Sequence, residues 1–158
     1  MKKYYIAYGS NLNVIQMKIR CPGAKICGTA ILKGWELLFK GSKSGSYLTI
    51  EPKEGGRVPV AIWSVTEADE SALDRYEGYP NFYYKKNIKV RYKSIISGHP
   101  GSTVDAFVYI MHEDRPIGVP SQFYMDTCEA GYETFYFDKG VLWDAYERAK
   151  EDSWKEMV

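Results

Sequence analysis

The sequence has few of the residues that hold metals or build disulfide frameworks. Its three cysteines, Cys21, Cys27 and Cys128, cannot all pair, and no C-x-x-C motif is present. This pattern is typical of a reducing compartment. The two histidines, His99 and His112, belong to no Cys/His cluster, which argues against a zinc site. A G-x-S-x-G motif is also missing, so the sequence offers no nucleophile elbow for a serine hydrolase.

The sequence also lacks a strong net charge and a long apolar run. Lys and Arg number 21 against 20 Asp and Glu, and the resulting net charge of +1 predicts no general attraction to nucleic acid or to an anionic membrane. No apolar run approaches the roughly 18 residues that a membrane helix needs. The apolar stretch after Lys2-Lys3 is too short and too aromatic for a signal peptide. We therefore expect a cytoplasmic protein.

The overall composition is that of a globular domain with an unusual aromatic content. With 45% hydrophobic and 26% charged residues, disorder and a coiled coil are excluded. The length predicts a single domain over residues 1–158. Aromatic residues (15%) and β-branched residues form seven strand-like runs bounded by Gly, Pro or Asn, which predict a curled sheet or small barrel. The runs are Tyr4–Tyr8, Lys25–Leu32, Trp35–Lys40, Tyr47–Glu51, Val58–Val65, Phe82–Ile96 and Thr103–Met111.

Helical signals are fewer and complete a mixed fold. Asn13 followed by Gln16 predicts a capped helix over Val14–Arg20. Thr66 followed by Asp69 predicts a second helix over Glu67–Tyr76, ended by Gly78 and Pro80. A third helix is predicted from about Gly140 to Trp154, because apolar residues recur there at helical spacing. These residues are Leu142, Ala145, Tyr146 and Ala149.

The segment Tyr8-Gly9-Ser10-Asn11-Leu12 lies between a predicted strand and a predicted helix. Gly9 permits backbone angles that other residues avoid, and successive N–H groups in such a turn form a concavity suited to a carboxylate or a phosphate. The alternative is a plain strand-to-helix turn in which Ser10 or Asn11 caps the helix. Both interpretations are open at this point.

Glu77 is the candidate for proton transfer. It lies four residues after Leu73, so both share a helix face, and a core-facing Leu73 carries Glu77 inward. Burial and the helix C-terminus both disfavour the carboxylate, which raises its pKa toward neutral pH. The alternative is a solvated helix end, or a salt bridge to Arg75 or a nearby lysine.

Two tyrosines are candidates for a pocket. Period-two alternation along Phe82–Lys93 places Tyr84 on the inner, apolar face of a strand whose other face is basic. Tyr124 falls in the first turn of a helix that Ser121 caps, where it either lines a pocket or packs in the core. The basic face, with Lys85, Lys89, Arg91 and Lys93, is either a solvated face or a surface for single-stranded RNA.

Three elements together resemble the γ-glutamylcyclotransferase family: Tyr8–Leu12, Leu73-Asp74-x-x-Glu77-Gly78 and Pro120-Ser121-x-x-Tyr124, with Tyr84 seven residues beyond Glu77. The resemblance covers nearly the whole chain and implies an α+β fold, a small mixed β-barrel with flanking helices. It also implies an enzyme that cyclises a γ-glutamyl group to 5-oxoproline and releases the attached amine, with no metal or organic cofactor.

The resemblance assigns a role to each matching residue. Glu77 is the general acid/base, and Tyr8, Gly9, Ser10, Asn11 and Leu12 hold the glutamyl end of the substrate. Tyr84 and Tyr124 line the pocket. The expected partner is a small γ-glutamyl substrate, with no nucleic acid and no membrane, and the protein is a monomer or a homodimer.

Contacts to the released amine are expected from the loops Gly41–Ser46, Gly98–Ser102 and Glu113–Gly118. Two other functions stay open on the sequence alone. One is a binding module for a small carboxylated ligand that has kept the barrel and the pocket without turnover. The other is an RNA-binding barrel that uses the basic strand face.

Overall fold

A small sheet forms the body of the molecule in the computed structural model, which describes residues 2–42 and 45–157. Within those residues the strands are β1 (Lys3–Ala7), β2 (Lys25–Ser42), β3 (Gly45–Val65), β4 (Tyr83–Ser94) and β5 (Pro100–Met111). They close into a barrel in the order β1-β3-β2-β4-β5. Neighbouring strands are antiparallel except β1 and β5, which pair in parallel and close the barrel.

Helices flank this barrel, so the predicted α+β architecture is confirmed. In the same described ranges they are α1 (Val14–Arg20), α2 (Glu67–Glu77), α3 (Gln122–Thr134) and α4 (Lys139–Met157), together with a 3-10 helix over Ser10–Leu12. None of these helices is long and apolar enough to cross a membrane.

The long β2–β3 hairpin joins runs that the sequence separates. β2 contains both Lys25–Leu32 and Trp35–Lys40, because a register shift between Lys33 and Trp35 forms a bulge instead of ending the strand. β3 likewise joins Tyr47–Glu51 to Val58–Val65. Of the loop predicted over Gly41–Ser46, both ends lie in paired strands, and residues 43 and 44 lie outside the described residues.

Local capping determines where α1 and α2 begin and where α2 ends. The Asn13 side chain accepts the Gln16 N–H (3.1 Å) at the start of α1. Thr66 and Asp69 form a reciprocal capping box, with hydrogen bonds of 3.0 and 3.1 Å, at the start of α2. α2 ends on Gly78, whose φ of +64° is a left-handed conformation that suits glycine. Glu77 is therefore the last helical residue, immediately before a sharp change of chain direction.

The C-terminal helices pack on the barrel and on the turn after β1. The stripe predicted on α4 is confirmed, since Leu142, Ala145 and Ala149 are buried. α3 crosses so closely over the 3-10 helix that a Cβ on Gly131 would lie 2.6 Å from the Leu12 Cβ. This close approach buries Leu12 completely and fixes the backbone of the preceding turn.

Candidate active site

A cavity of about 410 Å³ lies between the turn after β1, the end of α2 and the strands β3, β4 and β5. Its volume is within the range of small-ligand sites, about 300–1,000 Å³. The structure brings six of the predicted site residues to its wall: Tyr8, Gly9, Ser10, Asn11, Glu77 and Tyr124. Among the described residues the wall does not include Leu12 or Tyr84.

The turn over residues 8–12 presents unused backbone donors. The Leu12 N–H bonds to the Gly9 carbonyl and the Asn13 N–H bonds to the Ser10 carbonyl, each at 3.0 Å. The N–H groups of Gly9, Ser10 and Asn11 have no acceptor within residues 2–42 and 45–157. Three adjacent amide donors at a cavity wall suit an anionic group such as a carboxylate.

Side chains hold this turn in place from the direction of α1 and α2. The Asn11 amide donates to the Tyr5 hydroxyl (2.8 Å), and its oxygen accepts from Arg20. The Arg20 guanidinium lies 3.4 Å from the centre of the Tyr76 ring, and the Tyr76 and Ser10 hydroxyls share a hydrogen bond of 3.0 Å. The turn and the last part of α2 therefore form one connected unit.

Glu77 lies partly buried on the cavity wall. Burial raises the pKa of its carboxyl to about 8, against the opposing effect of the Arg20 cation. No hydrogen-bond donor or salt-bridge partner for this carboxyl is found within the two described ranges, so the predicted alternative of a pair with Arg75 or a lysine is not observed there. An unpaired carboxyl with a pKa near neutrality can both accept and donate a proton.

Tyrosines line much of the cavity and are held by backbone groups. The Tyr83 hydroxyl donates to the Leu48 carbonyl (2.8 Å), and the Tyr8 hydroxyl donates to the Tyr109 carbonyl (2.6 Å). The Tyr124 hydroxyl accepts the Leu48 N–H at 3.1 Å. Burial raises the pKa of Tyr8, Tyr83 and Tyr124 well above its ordinary value, so these hydroxyls stay neutral. Their rings provide a rigid wall with few free polar groups.

The prediction that Tyr84 lines the pocket is wrong. Its hydroxyl donates to Glu113 (2.5 Å), and its ring packs beside His112. The alternation along β4 separates two faces, but at this end of the strand the face predicted to be exposed is the more buried one, since Tyr83 is 5% exposed and Tyr84 is only partly buried. The cavity lies on the Tyr83 face, which α2 covers. Tyr83 points there instead.

Behind the cavity, acidic residues of α2 hold Tyr109 and Lys85. The Tyr109 hydroxyl donates to Asp74 (2.6 Å). The Lys85 ammonium lies 3.0 Å from Asp74 and 2.8 Å from Glu70. Lys85, expected on a basic exposed face, is thus half-buried and neutralised by two carboxylates. Tyr109 lies on the face of β5 that lines the cavity. No motif or spacing in the sequence indicates its contact with Asp74.

Comparison with known proteins agrees with this arrangement. A family model described as gamma-glutamyl cyclotransferase, AIG2-like, matches residues 5–129. The chain belongs to this family. The matched segment contains the end of β1 from Tyr5 onward, the turn after it, Glu77 and Tyr124, all of which contribute to the cavity. The expected family resemblance is therefore confirmed.

Individual relatives and solved structures show how far the similarity extends. The chain is 30% identical over 121 residues to a mouse gamma-glutamylcyclotransferase, a match that spans 71% of this chain and 62% of the mouse protein. A solved structure of a gamma-glutamyl cyclotransferase superposes with a TM-score of 0.72 at 23% identity, over 95% of this chain and 87% of that one. A yeast γ-glutamyl cyclotransferase specific to glutathione gives a TM-score of 0.63 at 12% identity, over 95% and 96%. These superpositions confirm the family fold.

Proposed function

We propose that this protein cyclises a γ-glutamyl group to 5-oxoproline and releases the attached amine, with Glu77 transferring the protons. The observation that carries the proposal is the Glu77 carboxyl, which is unpaired among the described residues and has a pKa near 8 in a cavity. The same cavity wall contains the free amides of Gly9, Ser10 and Asn11. Together they match the two ends of a glutamyl headgroup, an ammonium and a carboxylate.

In this reaction the nucleophile and the electrophile belong to the same molecule. The α-nitrogen of the substrate attacks its own γ-carbonyl carbon, so that a new C–N bond closes a five-membered ring while the original amide C–N bond breaks. The turn amides bind the α-carboxylate by charge-assisted hydrogen bonds. Because the headgroup is fixed, the α-nitrogen and the γ-carbonyl carbon are held about 3 Å apart. This orientation of the reacting atoms accounts for much of the rate enhancement.

Protons move between the two nitrogens through Glu77. The substrate α-nitrogen enters as an ammonium and must lose a proton before it attacks, and the departing nitrogen must gain one. Two protons leave the α-nitrogen and two reach the released amine, so Glu77 ends in the state in which it began. In the free protein a pKa near 8 leaves Glu77 mainly protonated at pH 7. A bound ammonium beside it favours the carboxylate, which is then ready to accept the proton.

The pairing of Lys85 weakens the case for single-stranded RNA. Lys85 is paired with Glu70 and Asp74, whereas Lys89 forms only an exposed pair with Asp105, at 3.0 Å. Neutralised lysines contribute little to binding phosphates, because a cation must be free to replace the counterions. The cavity, by contrast, has the size and the polar groups of a metabolite site.

The direct test is to incubate the protein with a panel of γ-glutamyl compounds and to follow 5-oxoproline by mass spectrometry. The panel contains γ-glutamylalanine, γ-glutamylethylamide and glutathione, which is the substrate named for the yeast relative. We expect 5-oxoproline and the released amine to accumulate in equal amounts from at least one compound. Binding of these compounds in calorimetry without any product contradicts the proposal and favours a binding module.

A further inference from the structure

The cavity has a buried floor and a partly exposed, cationic rim. The floor consists of Tyr5, Tyr8, Ser10 and Asn11, all of which are buried. The rim consists of Tyr47, Arg75, Tyr76, Phe82 and Arg115, of which Tyr47 and Tyr76 are 39% and 44% exposed. Glu77 is the only carboxylate in the described part of the wall. Two permanent cations therefore line the same cavity as one acid that is mainly protonated at neutral pH.

Arg115 is fixed at the rim by both its side chain and its backbone. Its guanidinium lies over the Phe82 ring, 4.4 Å from the centre. The flanking chain is tied to the end of β2, since the Gly41 N–H donates to the Pro116 carbonyl (3.0 Å) and the Lys40 ammonium donates to the Glu113 carbonyl (2.9 Å). A guanidinium held in this way loses little further freedom when it binds an anion.

The Arg115 charge is available for a ligand on the Glu77 side of the cavity. Across the residues the structure describes, no carboxylate forms an ion pair with Arg115. Phe82, beneath the guanidinium, donates its N–H to the Gly78 carbonyl (2.8 Å), directly after Glu77. Arg75, the other rim cation, is exposed and has no ring contact among the same residues. Arg115 is therefore the better-organised anion site.

We propose that Arg115 binds a carboxylate on the amine half of the substrate, so that the enzyme prefers γ-glutamyl-α-amino acids to γ-glutamylamines. This inference rests on the proposed cyclisation. The buried floor and the turn amides take the glutamyl headgroup, which directs the amine half toward the rim. At the rim, the Arg115 guanidinium and a substrate carboxylate can form a bidentate pair of charge-assisted hydrogen bonds. The segment Glu113–Gly118, which carries Arg115, is also one of the loops predicted to contact the released amine.

Two substrates that differ only in this carboxylate provide the test. γ-Glutamylethylamide is γ-glutamylalanine without the alanine carboxylate. We expect the wild-type protein to give a kcat/KM at least about tenfold higher for γ-glutamylalanine, within the range for a charged contact of this kind. Arg115→Gln abolishes this preference by lowering kcat/KM for γ-glutamylalanine while leaving that for γ-glutamylethylamide within about threefold. Arg115→Lys keeps a part of the preference, because the charge remains without the planar fork.

Arg91→Gln is the matched control, because Arg91 is exposed on β4 and outside the described cavity wall. We expect this variant to keep the wild-type kcat/KM for both substrates. Equal kcat/KM values for the two substrates in the wild-type protein overturn the role of Arg115 while the cyclisation stands. The role of Arg115 is also overturned if Arg115→Gln still prefers γ-glutamylalanine, or if Arg75→Gln alone removes this preference. If neither substrate yields 5-oxoproline, the proposed function itself fails, and the carboxylate inference fails with it.

Discussion

Glu77→Gln lowers kcat for 5-oxoproline formation by at least about a hundredfold, the usual contribution of a positioned general acid/base. Glutamine keeps the size and polarity of the side chain but cannot accept the ammonium proton. The substrate then remains protonated at the attacking nitrogen. Steady-state kinetics on the best substrate of the panel measure the effect. KM changes much less than kcat, because the headgroup is held chiefly by the turn amides.

Glu67→Gln provides the matched control for this substitution. Glu67 is exposed in the first turn of the same helix, far along α2 from the cavity end, and its replacement leaves turnover unchanged. Near-wild-type kcat in Glu77→Gln rejects the assignment of the proton acceptor. A loss in both variants points to damage of α2 instead of lost chemistry.

The Glu77→Gln protein is also more stable than the wild type at alkaline pH. The pKa of Glu77 is about 8 in the folded protein and about 4.3 in an unfolded chain. Between these values the folded state binds more protons than the unfolded state, so the free energy of unfolding of the wild type falls as pH rises through this window. Below this pH window the carboxyl is neutral in both states, so it does not lower the free energy of unfolding. Glutamine does not ionise, so the variant does not lose stability in this way as the pH rises.

Urea unfolding of both proteins at pH 5 and pH 9 measures this difference. We expect the stability advantage of Glu77→Gln to grow by about 1–3 kcal/mol from pH 5 to pH 9, less than the full linkage value because Glu77 is partly exposed to the cavity. Taking the difference between the two proteins cancels the titration of every other group. An advantage that stays constant with pH, or that shrinks, contradicts the raised pKa.

The helices follow from local chemistry, and the sequence therefore predicts them well. The caps at Asn13 and Thr66 act within three residues along the chain, and Gly78 ends α2 by its own backbone preference. The 3-10 helix over Ser10–Leu12 was missed, because its position depends on Gly131 of α3 packing against Leu12. The β2 and β3 boundaries were also missed, since a bulged hairpin continues where local signals indicate a break.

The site residues can be predicted from the sequence only where they belong to recognisable short motifs. The turn after β1, Glu77 and Tyr124 meet at one cavity, as the motifs predict. The alternation of β4 favours Tyr84 over Tyr83, because it identifies two faces but does not reveal that α2 covers the second face as well. Arg20 reaches the site only through its contacts with Asn11 and Tyr76, which no spacing in the sequence indicates.

A carbon-13 NMR titration of the Glu77 carboxyl is the sharpest check on its role in proton transfer. In a protein labelled at glutamate side-chain carboxyls, the resonance absent from Glu77→Gln identifies this group. We predict that its chemical shift changes with a midpoint near pH 8 in the free protein. A midpoint near the ordinary value of about 4.3 would show a solvated carboxylate and would contradict the mechanism.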